Sequence, residues 1–252
     1  MSGFTLRLIG TGNAFVPDGR LHSNLLIDDC ILIDAPPTTL VSLRNAGISP
    51  AAISDLLITH WHGDHIFGFP FLMLERRYIS DPKAECILQV HTRRGGSGLL
   101  GQLCHLAFPG NVEQMLDGRV VWHDGDKGVA GDGEEWTYHR FEVAHEPLVF
   151  PYGYRLEHHS GFILSHFGDT GPCDSVSEHA ATSDLVILEV GVPDGVPGSG
   201  HHTPSDVITL AAKSPSTRFI LTHCFWSSED DDTRVPDFPD NVIEARDGWF
   251  FE

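Results

Sequence analysis

The chain has 252 residues, 41% of them hydrophobic, which is enough to bury a sizeable core. Lys and Arg number 16 against 35 Asp and Glu, a formal net charge of −19. Such a surface repels polyanions at long range and argues against long RNA or DNA as a partner, but a small phosphate ester can still meet positive charge at metal ions in a pocket. No apolar run reaches the roughly 18 residues of a membrane span. Residues 1–7 lack the basic and then apolar pattern of a secretion signal. Cys30, Cys86, Cys104, Cys173 and Cys224 form no close pair, and their odd number points to reduced thiols in a cytoplasm.

Taken in chain order, residues 4–9 read as a strand that ends at Gly10-Thr11-Gly12. Residues 24–27 and 30–33 read as a hairpin around Asp28-Asp29, and residues 38–46 as a helix closed by Gly47. The apolar run 53–59 is a buried strand, residues 67–79 look helical despite Pro70, and residues 86–90 form a short strand. A helix is expected over about 98–108 and an exposed loop over 124–135, where Gly, Asp and Glu accumulate. Strands follow at 136–143, 152–157, 161–166, 185–190 and 218–222. A helix at 205–213, capped by Thr203 or Ser205, lies between the last two, and residues 245–251 form a terminal strand. The Pro/Gly-rich stretch 191–200 reads as an active-site loop, and the acidic run 229–232 as a solvated one. No internal repeat or linker divides the chain, so one domain over 1–252 is expected. The layout suggests an α/β fold, a four-layer αββα sandwich of two mixed, mostly antiparallel sheets flanked by helices.

The most informative stretch is Thr59-His60-Trp61-His62-Gly63-Asp64-His65. Three imidazoles and one carboxylate follow directly on a buried strand, where α/β proteins place their chemistry. Imidazole suits zinc and carboxylate suits harder ions such as manganese, so the mixture fits a hydrolytic metal site. Four further polar residues sit at strand ends: Asp34, His145, Asp169 and His223. Each alone reads as a structural residue; their repeated placement is what suggests a shared site. Trp61, Phe67 and Phe69 lie beside the motif and read as core beneath the site, with base stacking as the alternative.

These residues resemble the metallo-β-lactamase superfamily, in the branch of ribonuclease Z and the class II cyclic-nucleotide phosphodiesterases. The resemblance rests on Leu8-Ile9-Gly10-Thr11-Gly12, on His-x-His-x-Asp-His at 60–65, and on Ala144-His145 with residues 152–157. Phe167-Gly168-Asp169-Thr170-Gly171 and Leu221-Thr222-His223 continue it in order. It implies two divalent metal ions, zinc with manganese as the alternative. His60, His62 and His145 would hold one, Asp64, His65 and His223 the other, with Asp169 bridging and Asp34 orienting ligands from behind. It further implies catalytic roles for Asp64 and for the histidine of Gly200-His201-His202-Thr203. That histidine would be His201, with His202 as its ordinary loop neighbour. Hydrolysis would use a hydroxide shared by the two metals, with His201 as general acid toward the leaving oxygen.

The interval from His145 to Asp169 is 24 residues, too short for the tRNA-gripping arm of ribonuclease Z, and Asp34-Ala35-Pro36-Pro37 departs from the Asp-Cys-Gly-Glu-Gly of many of those enzymes. Together with the negative charge this favours a small phosphodiester, a 3′,5′-cyclic nucleotide above all. An RNA 3′-processing endonuclease or an arylsulfatase-type hydrolase is the alternative, and a metal-stabilised binding protein the non-enzymatic one. A homodimer is expected by the same resemblance.

Overall fold

The computed structural model describes residues 3–196, 200–226 and 237–252. The acidic run 229–232 lies outside the described residues, as do residues 197–199 of the 191–200 loop. Two seven-stranded sheets face each other. The first comprises β1 (Leu6–Gly10), β2 (Asn24–Ile27), β3 (Ile31–Ile33), β4 (Asp55–Leu57), β5 (Leu88–His91), β6 (Val120–His123) and β14 (Trp249–Phe251), in the order β14-β1-β2-β3-β4-β5-β6. The second comprises β7 (Lys127–Ala130), β8 (Trp136–Glu142), β9 (Tyr152–His158), β10 (Ile163–His166), β11 (Leu185–Glu189), β12 (Arg218–Thr222) and β13 (Val242–Glu244), in the order β13-β12-β11-β10-β9-β8-β7. Helices α1 (Thr39–Asn45), α3 (Phe69–Glu75) and α4 (Gly96–Ala107) cover the outside of the first sheet, and α6 (Asp174–Ala180) and α7 (Pro204–Lys213) that of the second.

The four layers follow from alternation along strands buried on both faces. Leu25 and Ile27 point between the sheets and meet Leu156, Leu164, Ile187 and Ile220. Leu26, Leu32 and Leu56 point outward and meet Leu43, Leu72 and Leu100 of the helices. On the far side Val186, Leu188 and Phe219 pack against Val176, Val207 and Leu210. The hairpin at Asp28-Asp29 forms because both residues take positive φ, 51° and 55°, the twist a two-residue turn requires.

Several expectations shift in detail. Each sheet pairs three neighbours antiparallel and three parallel, an even mixture rather than a mostly antiparallel one. The expected loop 124–135 contains β7, an edge strand whose Lys and Gly hide it until β8 supplies its hydrogen bonds. The terminal strand expected at 245–251 is confined to β14 (Trp249–Phe251); β13 precedes it in the other sheet, and Gly248 takes φ 89° in the turn between them. Pro70 lies in the first turn of α3, where its missing N–H costs nothing, and the helix gives way to a wider turn at Arg76–Ser80. Two short helices, α2 (Gly63–Ile66) and α5 (Val112–Met115), complete the set, so the ligand-rich motif is part strand-end loop and part helical turn. Among the described residues no helix is long and apolar enough to cross a membrane.

Candidate metal centre

Every candidate ligand leaves the carboxyl end of a strand at the same edge of the sandwich. Asp34 follows β3, His60 and His62 follow β4, His145 follows β8, Asp169 follows β10 and His223 follows β12. Gly63 opens α2 and turns Asp64 and His65 back toward the two histidines before them. Two of these corners are held in the left-handed region by residues with a Cβ, Asp34 at φ 65° and His223 at φ 51°. Such backbone is uncommon outside glycine and collects at functional sites. Gly168 also has positive φ, 62°, and a Cβ there would meet Thr59 Cβ at 3.0 Å.

The side chains converge as two groups. His60 Nε2 lies 3.2 Å from His62 Nδ1, which lies 3.1 Å from His145 Nε2. A tetrahedral centre with zinc–nitrogen bonds of about 2.0–2.1 Å has edges near this length, whereas lone pairs facing one another at such distances repel without a cation or proton between them. In the second group His223 Nε2 lies 3.4 Å from Asp64 Oδ2 and 3.3 Å from Asp169 Oδ2. His65 Nε2 lies 3.4 Å from Asp169 Oδ1. Asp169 also comes within 3.8 Å of His60 Nε2, so its carboxylate stands between the groups. Within His60, His62, His145 and Asp169, and within Asp64, His65, Asp169 and His223, one donor atom per residue lies within 4.8 Å of the others.

The surrounding hydrogen bonds fix which ring nitrogen faces inward. Asp34 Oδ2 accepts from His65 Nδ1 at 2.8 Å and from the Thr59 hydroxyl at 2.7 Å, while Oδ1 accepts the Thr59 amide at 2.8 Å. His65 Nε2 thereby faces inward, buried and 3.4 Å from Asp169 Oδ1, where a cation could take it. His145 Nδ1 donates to Gly200 O at 2.8 Å, and His62 Nε2 faces Glu146 Oε2 at 3.4 Å. The donor set of nitrogens and carboxylate oxygens, already turned inward, fits divalent zinc or manganese. Burial pushes the His60 imidazole well below its ordinary pKa, whereas at His65 burial is outweighed by Asp169 and Asp34, which push it well above. Asp64 is held low: burial opposes its charge, but the hydrogen bond and positive field of His223 and His65 outweigh it.

Beside the two groups stands a dyad. His201 Nδ1 donates to Glu189 Oε1 at 2.9 Å. The same oxygen accepts from the backbone of Thr170 and of His202, each at 3.1 Å, so a buried carboxylate is fixed by three donors. Burial works against a charged His201, but the Glu189 hydrogen bond and charge prevail and raise its pKa to about 9. The His201 ring lies 4.7 Å from that of His145 and stacks 5.8 Å from that of His223. His202 turns away: it is buried, and its Nδ1 donates to Thr170 O at 2.6 Å.

All seven expected ligands, Asp34 and His201 therefore meet in one place. Of the flanking aromatics, Phe69 is core, Trp61 packs against that core, and Phe67 is 52% exposed. Two residues of the site were not singled out in the sequence. Glu189 ends an otherwise apolar strand, and a lone carboxylate in such a run was its signal. His22, half-buried, feels the fields of Asp64, His65 and His223, and nothing in its neighbourhood in sequence marked it.

Comparison with known proteins is consistent with this geometry. A family model described as anti-Pycsar protein Apyc1 matches residues 4–94. A ribonuclease Z from Methanothermobacter thermautotrophicus is 24% identical over 270 residues, covering 85% of this chain and 84% of its own. The metallo-β-lactamase fold protein YhfI from Bacillus subtilis superposes with a TM-score of 0.74 at 16% identity, with 98% of each chain covered. The short form of human tRNase Z gives 0.73 at 21% identity, again with 98% of each chain covered.

Proposed function

We propose that this chain, a metal-dependent hydrolase of the metallo-β-lactamase superfamily in its ribonuclease Z branch, cleaves small phosphodiesters, with 3′,5′-cyclic nucleotides first among them. The observation that carries this reading is the placement of a carboxylate-paired imidazole, His201, against two convergent ligand groups that share Asp169. His60, His62 and His145 would hold one divalent ion, Asp64, His65 and His223 the other, with Asp169 between them and Asp34 locking His65. When bound, the ions supply Lewis acidity for a phosphoryl oxygen and for the attacking water.

The chain's own groups account for the rest. His201 carries a proton at neutral pH, held there by Glu189, and gives it to the departing alkoxide. Glu189 keeps the ring aimed and offsets its charge. No covalent intermediate is called for, because the cluster contains no serine, threonine or cysteine. Between His145 and Asp169 the chain runs through β9 and β10 with only short connections, at 146–151 and 159–162, which supports the absence of an arm to grip a folded RNA. With the charge of −19 this supports a small substrate over tRNA. RNA 3′ processing is the second reading, favoured by the ribonuclease Z relatives. We further propose that the chain works in the cytoplasm as a homodimer; light scattering tests the assembly. The deciding assay offers cyclic AMP, cyclic GMP, cyclic CMP, cyclic UMP, precursor tRNA and an aryl sulfate side by side with added zinc or manganese. Turnover of the cyclic nucleotides supports the proposal, and cleavage of tRNA alone overturns it.

A further inference from the structure

A cavity of about 290 Å³ adjoins the candidate metal centre on the side of His145. Its walls are Glu142 at the end of β8, Tyr152 opposite it at the start of β9, and His145, Pro147, Phe150 and Pro151 of the connection between them. The connection is pinned to the metal loop, since the Trp61 amide donates to Val149 O at 3.2 Å and the Tyr152 amide to Thr59 O at 3.0 Å. Phe150 is held at φ 51°, ψ 65°, a left-handed backbone that is rare for a bulky residue. With this backbone Phe150 is 42% exposed beside the cavity. The Arg93 guanidinium lies over the ring, 3.1 Å from its centroid. The Glu142 carboxylate takes part in no hydrogen bond or ion pair with the described residues.

We propose that this cavity is a nucleobase site in which Phe150 stacks on the base and the Glu142 carboxylate reads its edge, giving the enzyme a preference for guanine. The proposal rests on the phosphodiesterase reading and names its substrate more closely. Two rigid rings and two prolines line the cavity together with the polar Glu142 and His145, a mixed surface on which a base can stack and be read at its edge. An ionised carboxylate only accepts hydrogen bonds. Guanine offers it two adjacent donors, N1–H and the exocyclic amino group, so both oxygens are satisfied at once. Adenine and cytosine pair one amino group with a ring-nitrogen acceptor that repels the second oxygen. Uracil places one N–H between two carbonyl oxygens. The order follows: guanine first, adenine and cytosine next, uracil last, with about tenfold or more between first and last.

The test measures kcat/KM of the metal-loaded protein on the four 3′,5′-cyclic nucleotides, together with calorimetric titration of the four nucleoside 5′-monophosphates. Wild type, Glu142→Gln and Phe150→Leu are compared after melting curves show them folded; Glu142→Asp, which keeps the charge and shortens its reach, stands in if the first variant does not fold. The expected result is a guanine advantage in turnover and in binding that disappears in Glu142→Gln, and a raised KM for all four bases in Phe150→Leu. Equal turnover of the four by wild type, or an unchanged guanine advantage in Glu142→Gln, overturns the base site and leaves the hydrolase reading in place. If no cyclic nucleotide is hydrolysed but guanosine monophosphate binds best in a Glu142-dependent way, the hydrolase reading fails and the base site stands.

Discussion

His201 and His202 share one loop and one residue type, yet only the first turns toward the candidate ligands. What separates them is the partner of each Nδ1: a carboxylate for His201, a backbone carbonyl for His202. Replacing His201 with Ala is expected to leave bound metal unchanged and to lower kcat by about 10²–10⁴-fold. The loss should be larger for nucleoside leaving groups than for p-nitrophenolate, which departs without a proton. Loss of metal from that variant, read by elemental analysis, would mean the ring is a ligand instead. Glu189→Gln should show the same leaving-group dependence with a smaller loss. The motif histidines and aspartates stood out by residue type and repeated placement at strand ends, and the family resemblance supplied their grouping. The role of Glu189 was not, because a carboxylate at the end of Leu185–Glu189 gains its meaning only when His201 arrives from a loop twelve residues on.

Elements meet at contacts that periodicity does not report. Gly68 precedes α3 and donates its amide to Ala35 O at 2.8 Å, while Ala35 donates to His65 O at 2.7 Å, so the Asp34 corner is stitched to α2 and α3. A Cβ on Gly68 would sit 1.9 Å from Pro36 O, inside backbone that cannot yield. Gly68→Ala should therefore destabilise by roughly 1–3 kcal/mol and weaken metal binding, as a denaturation curve and a metal titration would show. Away from the site, Asp55 Oδ1 accepts from His91 Nε2 at 2.7 Å, and His91 Nδ1 accepts from the Tyr138 hydroxyl at 3.0 Å, joining β4, β5 and β8 between the sheets. Burial opposes the Asp55 charge, but the hydrogen bonds from His91, Ser54 and Gly131 outweigh it and hold its pKa below the ordinary value. A depressed carboxyl stabilises the fold above the unfolded pKa and loses that contribution as pH falls through the folded one. Asp55→Asn should cost roughly 3 kcal/mol at neutral pH, a gap from wild type that narrows in urea titrations below pH 3.8. Long alternating strands and the capped α7 were readable in the sequence. The edge strand β7 and the split of the last segment between two sheets were not, because both depend on partners far away in the chain.

At the scale of the whole molecule, the two sheets bring seven side chains spread from position 60 to position 223 to a single edge, and the formal charge of −19 leaves that edge in want of cations. Bound ions add stability because the unfolded chain has no such site to offer. Chelation should lower the melting temperature by about 5–10 °C, and zinc or manganese should restore it. The layered architecture followed from the alternation of strands and helices; the way distant strand ends meet needed the fold. Counting divalent ions per folded chain by elemental analysis, after dialysis against zinc or manganese, tests the two-metal account most directly. The prediction is two per chain; a folded protein that takes up none would contradict it.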